Sequence, residues 1–293
     1  MRTKTAKKKK SKTTTRKQIS EKPRIVILDN DETTGSYWLL FTILDMLFDS
    51  KHKKLHLQSL IPSLTDLFIK TNTFRPGLVK LIKVLYTLRS NKLLDAVVMY
   101  TYQTKLFYLP DNSTVAYFDS NGEQVSAATI IDYCFGYIAT GNVQSFCNVI
   151  ISRDEHREAL GLAETDDLGS KSIELVLRKL NIKPTNDLRG LIFIDDCYNN
   201  MPQASKYTLG KLTNMYISPY KSPYIVDVKN AIKKLEYIYK STLHKYVPKN
   251  VFLKYINQNY SVCSPKDVSF SYDKIDLTTL ANSIKTYYTT GKF

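Results

Sequence analysis

Arg24-Ile-Val-Ile-Leu-Asp29-Asn-Asp31-Glu-Thr33-Thr34-Gly35 is the stretch on which the reading of this chain turns. Ile25 to Leu28 are consecutive apolar residues, mostly β-branched, and such a run reads as a strand buried on both faces, as in a parallel sheet. Where the strand stops it delivers two carboxylates, Asp29 and Asp31, and a hydroxyl, Thr33. Open α/β folds place their chemistry at the carboxyl ends of parallel strands. Taken alone, the stretch fits a solvated Asp-rich turn equally well, so the rest of the chain has to decide.

Working outward, strands and helices alternate. Ser36 to Asp49 is apolar nearly all round, which predicts a helix covered on most sides. Residues 51–73 read as a connection with a short helix from Leu64 to Lys70. Phe74-Arg-Pro-Gly77 is a turn signal, and Leu78, Leu81, Ile82, Leu85 and Leu88 then form one helical stripe closed by Asn91. Ala96 to Tyr100 is a second buried strand, stopping at Thr101. Turn clusters at Pro110-Asp-Asn and Ser120-Asn-Gly122 predict a small hairpin or three short strands within 107–125.

Ala127 to Ala139 reads as a helix and Phe146 to Ile151 as a third strand, followed by the polar Ser152-Arg-Asp-Glu-His156. A loop with Asp166, Asp167 and Gly169 leads to Lys171 and a helix from Ser172 to Leu180. Leu191 to Ile194 is a fourth buried strand ending in Asp195-Asp196, and Met215 to Ile217 a fifth. Helices follow at 226–239, 249–257 and 276–287. The alternation predicts an α/β class, a three-layer Rossmann-like parallel sheet with helices on both faces, a small β insertion at about 105–126 and a C-terminal helical extension.

A chain of 293 residues, 43% hydrophobic, can bury a large core. Its formal charge of +15 is uneven: residues 1–24 hold eleven Lys and Arg against the single acid Glu21. Residues 1–22 are therefore expected to be a disordered basic tail, suited to nuclear import or to contact with phosphate backbones. The domain proper is placed at 23–245 and the extension at 246–293. Cys134, Cys147, Cys197 and Cys263 are scattered without a Cys-x-x-Cys pair, so reduced thiols are expected. His52 and His56 stand at helical spacing but in a Lys-rich turn, which reads as solvated.

No secretory signal is visible, and the most apolar stretch, Tyr37 to Phe48, is too short to span a bilayer. A soluble intracellular protein of nucleus or cytoplasm, with no membrane contact, is expected. Richness in Lys, Asn, Tyr and Ile is what an AT-rich genome gives, a large DNA virus being one such source.

Reactive groups now stand at four places: Asp29 and Asp31, Thr101, Lys171, and Asp195 with Asp196. This order resembles the haloacid dehalogenase-like phosphatase superfamily, whose first motif Asp-x-Asp-x-Thr is matched by Asp29-Asn-Asp31-Glu-Thr33. It is similar in particular to the RNA polymerase II C-terminal-domain phosphatases, the NLI-interacting-factor-like branch. That branch prefers Asp-x-Asp-Glu-Thr and a later Arg-Pro-Gly-Leu, here Arg75-Pro-Gly-Leu78. Its Val-x-x-(Tyr/Phe)-Thr-Ala-Ser looks like Val97-Val-Met-Tyr-Thr101-Tyr-Gln103, its Arg-x-x-Cys region is met loosely by Arg153-Asp-Glu-His156, and its acidic pair by Asp195-Asp196. Asn30 replaces the usual Leu, and the family's Lys-Asp-Leu is only Lys171-Ser-Ile.

The resemblance, covering about residues 24 to 240, implies a phosphatase working through an aspartyl-phosphate. Asp29 would be the nucleophile and Asp31 the acid and base. Thr101 and Lys171 would contact the phosphoryl oxygens, with Thr33 bracing the loop beside the substrate. Mg²⁺ would lie among Asp29, Asp195, Asp196 and the Asp31 carbonyl. It implies a phosphoprotein substrate, the RNA polymerase tail being one candidate. A polynucleotide 3′-phosphatase and a non-catalytic scaffold of the same fold are the alternatives.

Overall fold

The computed structural model describes residues 22–49, 54–104, 107–108, 114–115, 117–119, 122–183, 187–202, 212–220, 228–241, 243–260 and 277–291. The expected basic tail, apart from Lys22, lies outside the described residues, as do His52 and Cys263. The first half of the chain forms β1 (Ile25–Leu28), α1 (Trp38–Asp49), β2 (Lys54–Leu55), α2 (Leu57–Lys70), α3 (Leu78–Ser90) and β3 (Ala96–Tyr100). Four short strands follow, β4 (Phe107–Tyr108), β5 (Thr114–Val115), β6 (Tyr117–Asp119) and β7 (Gln124–Val125), then α4 (Ala127–Thr140) and β8 (Val149–Ile151). The second half comprises α5 (Arg153–Leu160), α6 (Ile173–Lys179), β9 (Leu191–Asp195), β10 (Thr213–Tyr216), α7 (Val228–Ser241), α8 (Lys249–Tyr260) and α9 (Leu277–Thr290).

Five strands make one parallel sheet in the order β10-β9-β1-β3-β8, with β1 at its centre. Every side chain of β1 is fully buried, because successive residues of a strand face opposite sides and both sides are covered. Val26, Leu28, Val97, Met99, Ile192 and Ile194 point into a large apolar layer shared with α1, α2, α3, α4 and the C-terminal helices. Ile25, Ile27, Val98, Tyr100, Leu191 and Phe193 point the other way, onto the Ile173, Val176 and Leu177 side of α6. Burial of each such side chain stabilises the fold by about 1.5–3 kcal/mol. The architecture is thus the three-layer α/β sandwich read from the sequence.

Local differences have local causes. The short helix expected at Leu64 begins at Leu57, although Pro62 stands inside it. Leu57, Leu60 and Ile61 are buried on its core face, and that packing outweighs the backbone bond that proline cannot make. The polar run after β8 is a helix, α5, entered through a capping box: Ser152 Oγ accepts the Glu155 N–H and the Glu155 carboxylate accepts the Ser152 N–H. The third strand is shorter than 146–151, because the Phe146 and Cys147 N–H groups donate to the buried Asp132 carboxylate and not to a neighbouring strand. In the insertion, β4 and β5 form a hairpin, while β6 pairs with β7 on one side and with β2 on the other.

The C-terminal helix α9 lies along α3. Its first turn is tied to the Pro76 carbonyl by the Leu277 N–H, and Tyr288 Oη donates at the other end to the carbonyls of Gly190 and Ile25. Gly190 has no room for a side chain there, since a Cβ would stand 2.3 Å from the Pro23 carbonyl oxygen. Among the described residues no helix is long and apolar enough to cross a membrane.

Candidate active site

The sheet register places the first two acids. Leu28 is paired with Ile194 on one side and Met99 on the other, and the Asp29 N–H donates to the Ile194 carbonyl at 2.9 Å. Asp29 and Asp195 therefore emerge side by side at the carboxyl ends of adjacent parallel strands, about 5 Å apart along the sheet. The chain leaves β1 toward β3 and later returns to β9 on the opposite side, so this is a topological switch point.

Lys171 joins them. Its ammonium lies 2.5 Å from Asp29 Oδ1 and 2.7 Å from Asp195 Oδ2, and its side chain is wholly buried. The approach to α6 is held by backbone bonds, the Lys171 N–H to the Asn200 carbonyl and the Ser172 N–H to Tyr100 Oη. Aromatic rings surround the ammonium: the centroids of Tyr102, Tyr100 and Phe193 lie 5.1, 5.8 and 5.9 Å away. Burial alone would lower the lysine pKa, but Asp29 and Asp195 outweigh it and hold the group above its usual range. Burial raises the Asp29 carboxyl, against the pull of Lys171 and with help from Asp195 and Asp196.

The loop after β1 closes on itself. The Thr34 N–H bonds the Asn30 carbonyl, the Thr33 N–H the Asp31 carbonyl and the Glu32 N–H the Gly35 carbonyl, with Glu32 in the left-handed region at φ 54°. Gly35 is required because a Cβ would meet the Thr73 carbonyl oxygen at 2.6 Å. Buried Arg75, from the Arg-Pro-Gly turn, clamps this loop by donating to the carbonyls of Glu32 and Ser218. Thr33 is also buried, and its hydroxyl donates to Asp196 Oδ1 at 2.7 Å while accepting the Asp196 N–H. It braces the acidic pair.

Asp31 does not join the Asp29, Lys171 and Asp195 cluster directly. Its Oδ1 accepts Gln103 Nε2 at 2.6 Å, and Gln103 Oε1 in turn accepts Asn30 Nδ2. Burial raises the Asp31 carboxyl to about 6; the Gln103 bond opposes this and Asp196 adds to it. Thr101, at the end of β3, is buried, with its N–H on the Ile151 carbonyl and its Oγ1 accepting the Gln103 N–H.

Oxygen atoms of Asp29, Asp195 and Asp196 lie within 4.8 Å of one another, so the three carboxylates can share one cation. All are hard donors, the set that suits Mg²⁺. Lys171 takes one oxygen each from Asp29 and Asp195, Thr33 one from Asp196, and the Cys197 N–H the second of Asp195, so three carboxylates face a single ammonium, a balance that a bound cation would complete. Gln103 and the aromatic rings around Lys171 were not singled out by sequence reasoning. Tyr100 and Phe193 read there simply as strand residues.

No family model matches the chain, and no curated protein sequence matches it. Among solved structures, it is similar to a HAD-superfamily hydrolase from Ehrlichia chaffeensis, with 17% identity over 74% of this chain and 99% of that one and a TM-score of 0.31. The functional reading therefore stands on the residues of the site itself.

Proposed function

We propose that the chain is a Mg²⁺-dependent phosphatase that forms an aspartyl-phosphate on Asp29. The observation that carries this reading is the buried Lys171 bonded at once to Asp29 and Asp195, with Asp196 completing a cation-sized group of carboxylates. In the first step an Asp29 oxygen attacks phosphorus and the ester P–O bond breaks, while Asp31 gives its proton to the leaving oxygen. In the second, Asp31 takes a proton from water, the water oxygen bonds phosphorus, and the bond to Asp29 breaks. Lys171 and the Thr101 hydroxyl offset charge on the phosphoryl oxygens. A Mg²⁺ ion held by Asp29, Asp195 and Asp196, with the Asp31 carbonyl, would supply the charge that lets a carboxylate approach a phosphate dianion.

The substrate class proposed is phosphoserine or phosphothreonine in a protein, as in the polymerase-tail phosphatases. Support comes from Asp29-Asn-Asp31-Glu-Thr33 with Arg75-Pro-Gly-Leu78, whose two segments Arg75 joins through the Glu32 carbonyl. The Lys-rich N-terminal segment suits work beside nucleic acid. The 293-residue chain assayed with Mg²⁺ should release phosphate from a phosphoserine peptide, and Asp29→Asn should lose turnover while still unfolding cooperatively as a folded chain. Preference for a 3′-phosphorylated oligonucleotide would replace the protein substrate with a polynucleotide one. Inactivity on every phosphate ester, aryl esters included, would leave a scaffold.

A further inference from the structure

Asp31 is the end of a chain of hydrogen bonds that begins in the buried interior and becomes half-buried at Gln103. Tyr37 Oη and Thr34 Oγ1 are 2.8 Å apart, and Thr34 Oγ1 lies 2.8 Å from the Asn30 carbonyl oxygen and 3.2 Å from Asn30 Oδ1. Thr34 has one hydroxyl hydrogen, directed at Asn30, so Tyr37 donates to Thr34. That hydrogen goes chiefly to the nearer Asn30 carbonyl, with Oδ1 the longer contact; the Asn30 side chain donates through Nδ2 to Gln103 Oε1 at 3.2 Å, and Gln103 donates through Nε2 to Asp31 Oδ1 at 2.6 Å. The amide orientations follow from the partners, since a flipped Gln103 would turn its carbonyl onto a carboxylate. Tyr37, Thr34 and Asn30 are all but fully buried. The Gln103 backbone is pinned as well, its N–H on Thr101 Oγ1 and its carbonyl under the Arg153 N–H.

Resting on the phosphatase reading above, we propose that Gln103, oriented by Asn30, is a positioning residue that selects which oxygen of Asp31 works on the leaving group. With Oδ1 committed to the amide, Oδ2 is the oxygen that carries the proton and delivers it as the ester P–O bond breaks. Asn30 and Gln103 are also two of the positions at which the chain departs from the motif patterns quoted above, and the two departures touch each other. An apolar residue at 30 would remove the Nδ2 that Gln103 Oε1 accepts.

A proton donor matters in proportion to the basicity of the leaving oxygen, so the test compares an alkyl phosphate ester with p-nitrophenyl phosphate. Gln103→Met keeps the length and removes the donor; Asn30→Leu removes the orienting partner. In Gln103→Met the ratio of alkyl to aryl kcat/KM should fall about tenfold or more, within the range that general acid catalysis supplies. Asn30→Leu should lower the ratio in the same direction, and the double variant should be no worse than Gln103→Met alone. Unfolding midpoints of each variant separate this from loss of fold. Equal losses on both esters, or none, would overturn the role given to Gln103. Wild-type inactivity on both esters would instead remove the phosphatase reading, and this inference with it.

Discussion

Asp29 and Lys171 form a buried ion pair, 2.5 Å between Oδ1 and Nζ, that ties the first strand to a loop 142 residues further on. Asp195 is bonded to the same ammonium, so the lysine is the only positive side chain bonded to either carboxylate among the described residues. Lys171→Met leaves both acids buried without compensation, a change that costs about 3–5 kcal/mol. We expect a lower unfolding midpoint, loss of phosphatase activity, and a larger stabilisation by Mg²⁺ than in the wild type. A variant as stable as the wild type in chelator would contradict the geometry.

Mg²⁺ itself should stabilise the folded chain by mass action, about 2.7 kcal/mol at a hundredfold excess over Kd. Asp195→Asn should abolish the rise in melting temperature seen on titration with Mg²⁺, and chelator should reverse it in the wild type. A metal-independent midpoint in the wild type would argue against a cation among Asp29, Asp195 and Asp196.

The Thr33 hydroxyl reaches the carboxylate cluster through Asp196, donating to its Oδ1 and accepting its N–H. Thr33→Val keeps the volume and removes the hydroxyl, so Asp196 loses the bond that orients its carboxylate. Such partners of metal ligands typically matter about 10–100-fold in affinity. The Mg²⁺ concentration for half-maximal activity should rise accordingly, with kcat at saturating Mg²⁺ much less affected; an unaltered Mg²⁺ requirement would sink this role.

His156 couples stability to pH. It is buried, with Nε2 donating to the Leu168 carbonyl at 2.9 Å and Nδ1 2.5 Å from Tyr100 Oη, both bonds being made by the neutral ring with Tyr100 as donor. Burial lowers its pKa below 6.5. The unfolded chain then takes up the proton first as pH falls, so this contribution is intact above about 6.5 and is lost below it. Urea unfolding should show His156→Gln less stable than the wild type at about pH 8, with the difference narrowing toward about pH 5. A constant difference across that range would rule the linkage out.

Legibility in the sequence followed the density of local signal. Ile25 to Leu28 and Leu191 to Ile194 were readable as strands because burial on both faces demands unbroken apolar runs. The acids at their ends came with them. Lys171 was the weakest of the site residues to read, because a lysine before a helix is ordinarily solvated. What buries it is long-range: the Tyr100 hydroxyl on Ser172 and the Asn200 carbonyl on its N–H. Helix α5 was locally encoded by Ser152 and Glu155 but masked by the polarity of Arg153 to His156. The Gln103 contact with Asn30 spans 73 residues and has no periodic signature at all.

The bonds from Tyr288 to the carbonyls of Gly190 and Ile25 have a meaning for truncation. The second links positions 263 residues apart, and both lie at the start of the strand that presents Asp29, the end opposite the carboxylates. Helix α9 therefore covers α3 along its length and closes the far end of the central strand with one hydroxyl. A chain cut before α9 would leave the apolar face of α3 uncovered and those two carbonyls without Tyr288, so its reactive loop would stand on an unfinished support.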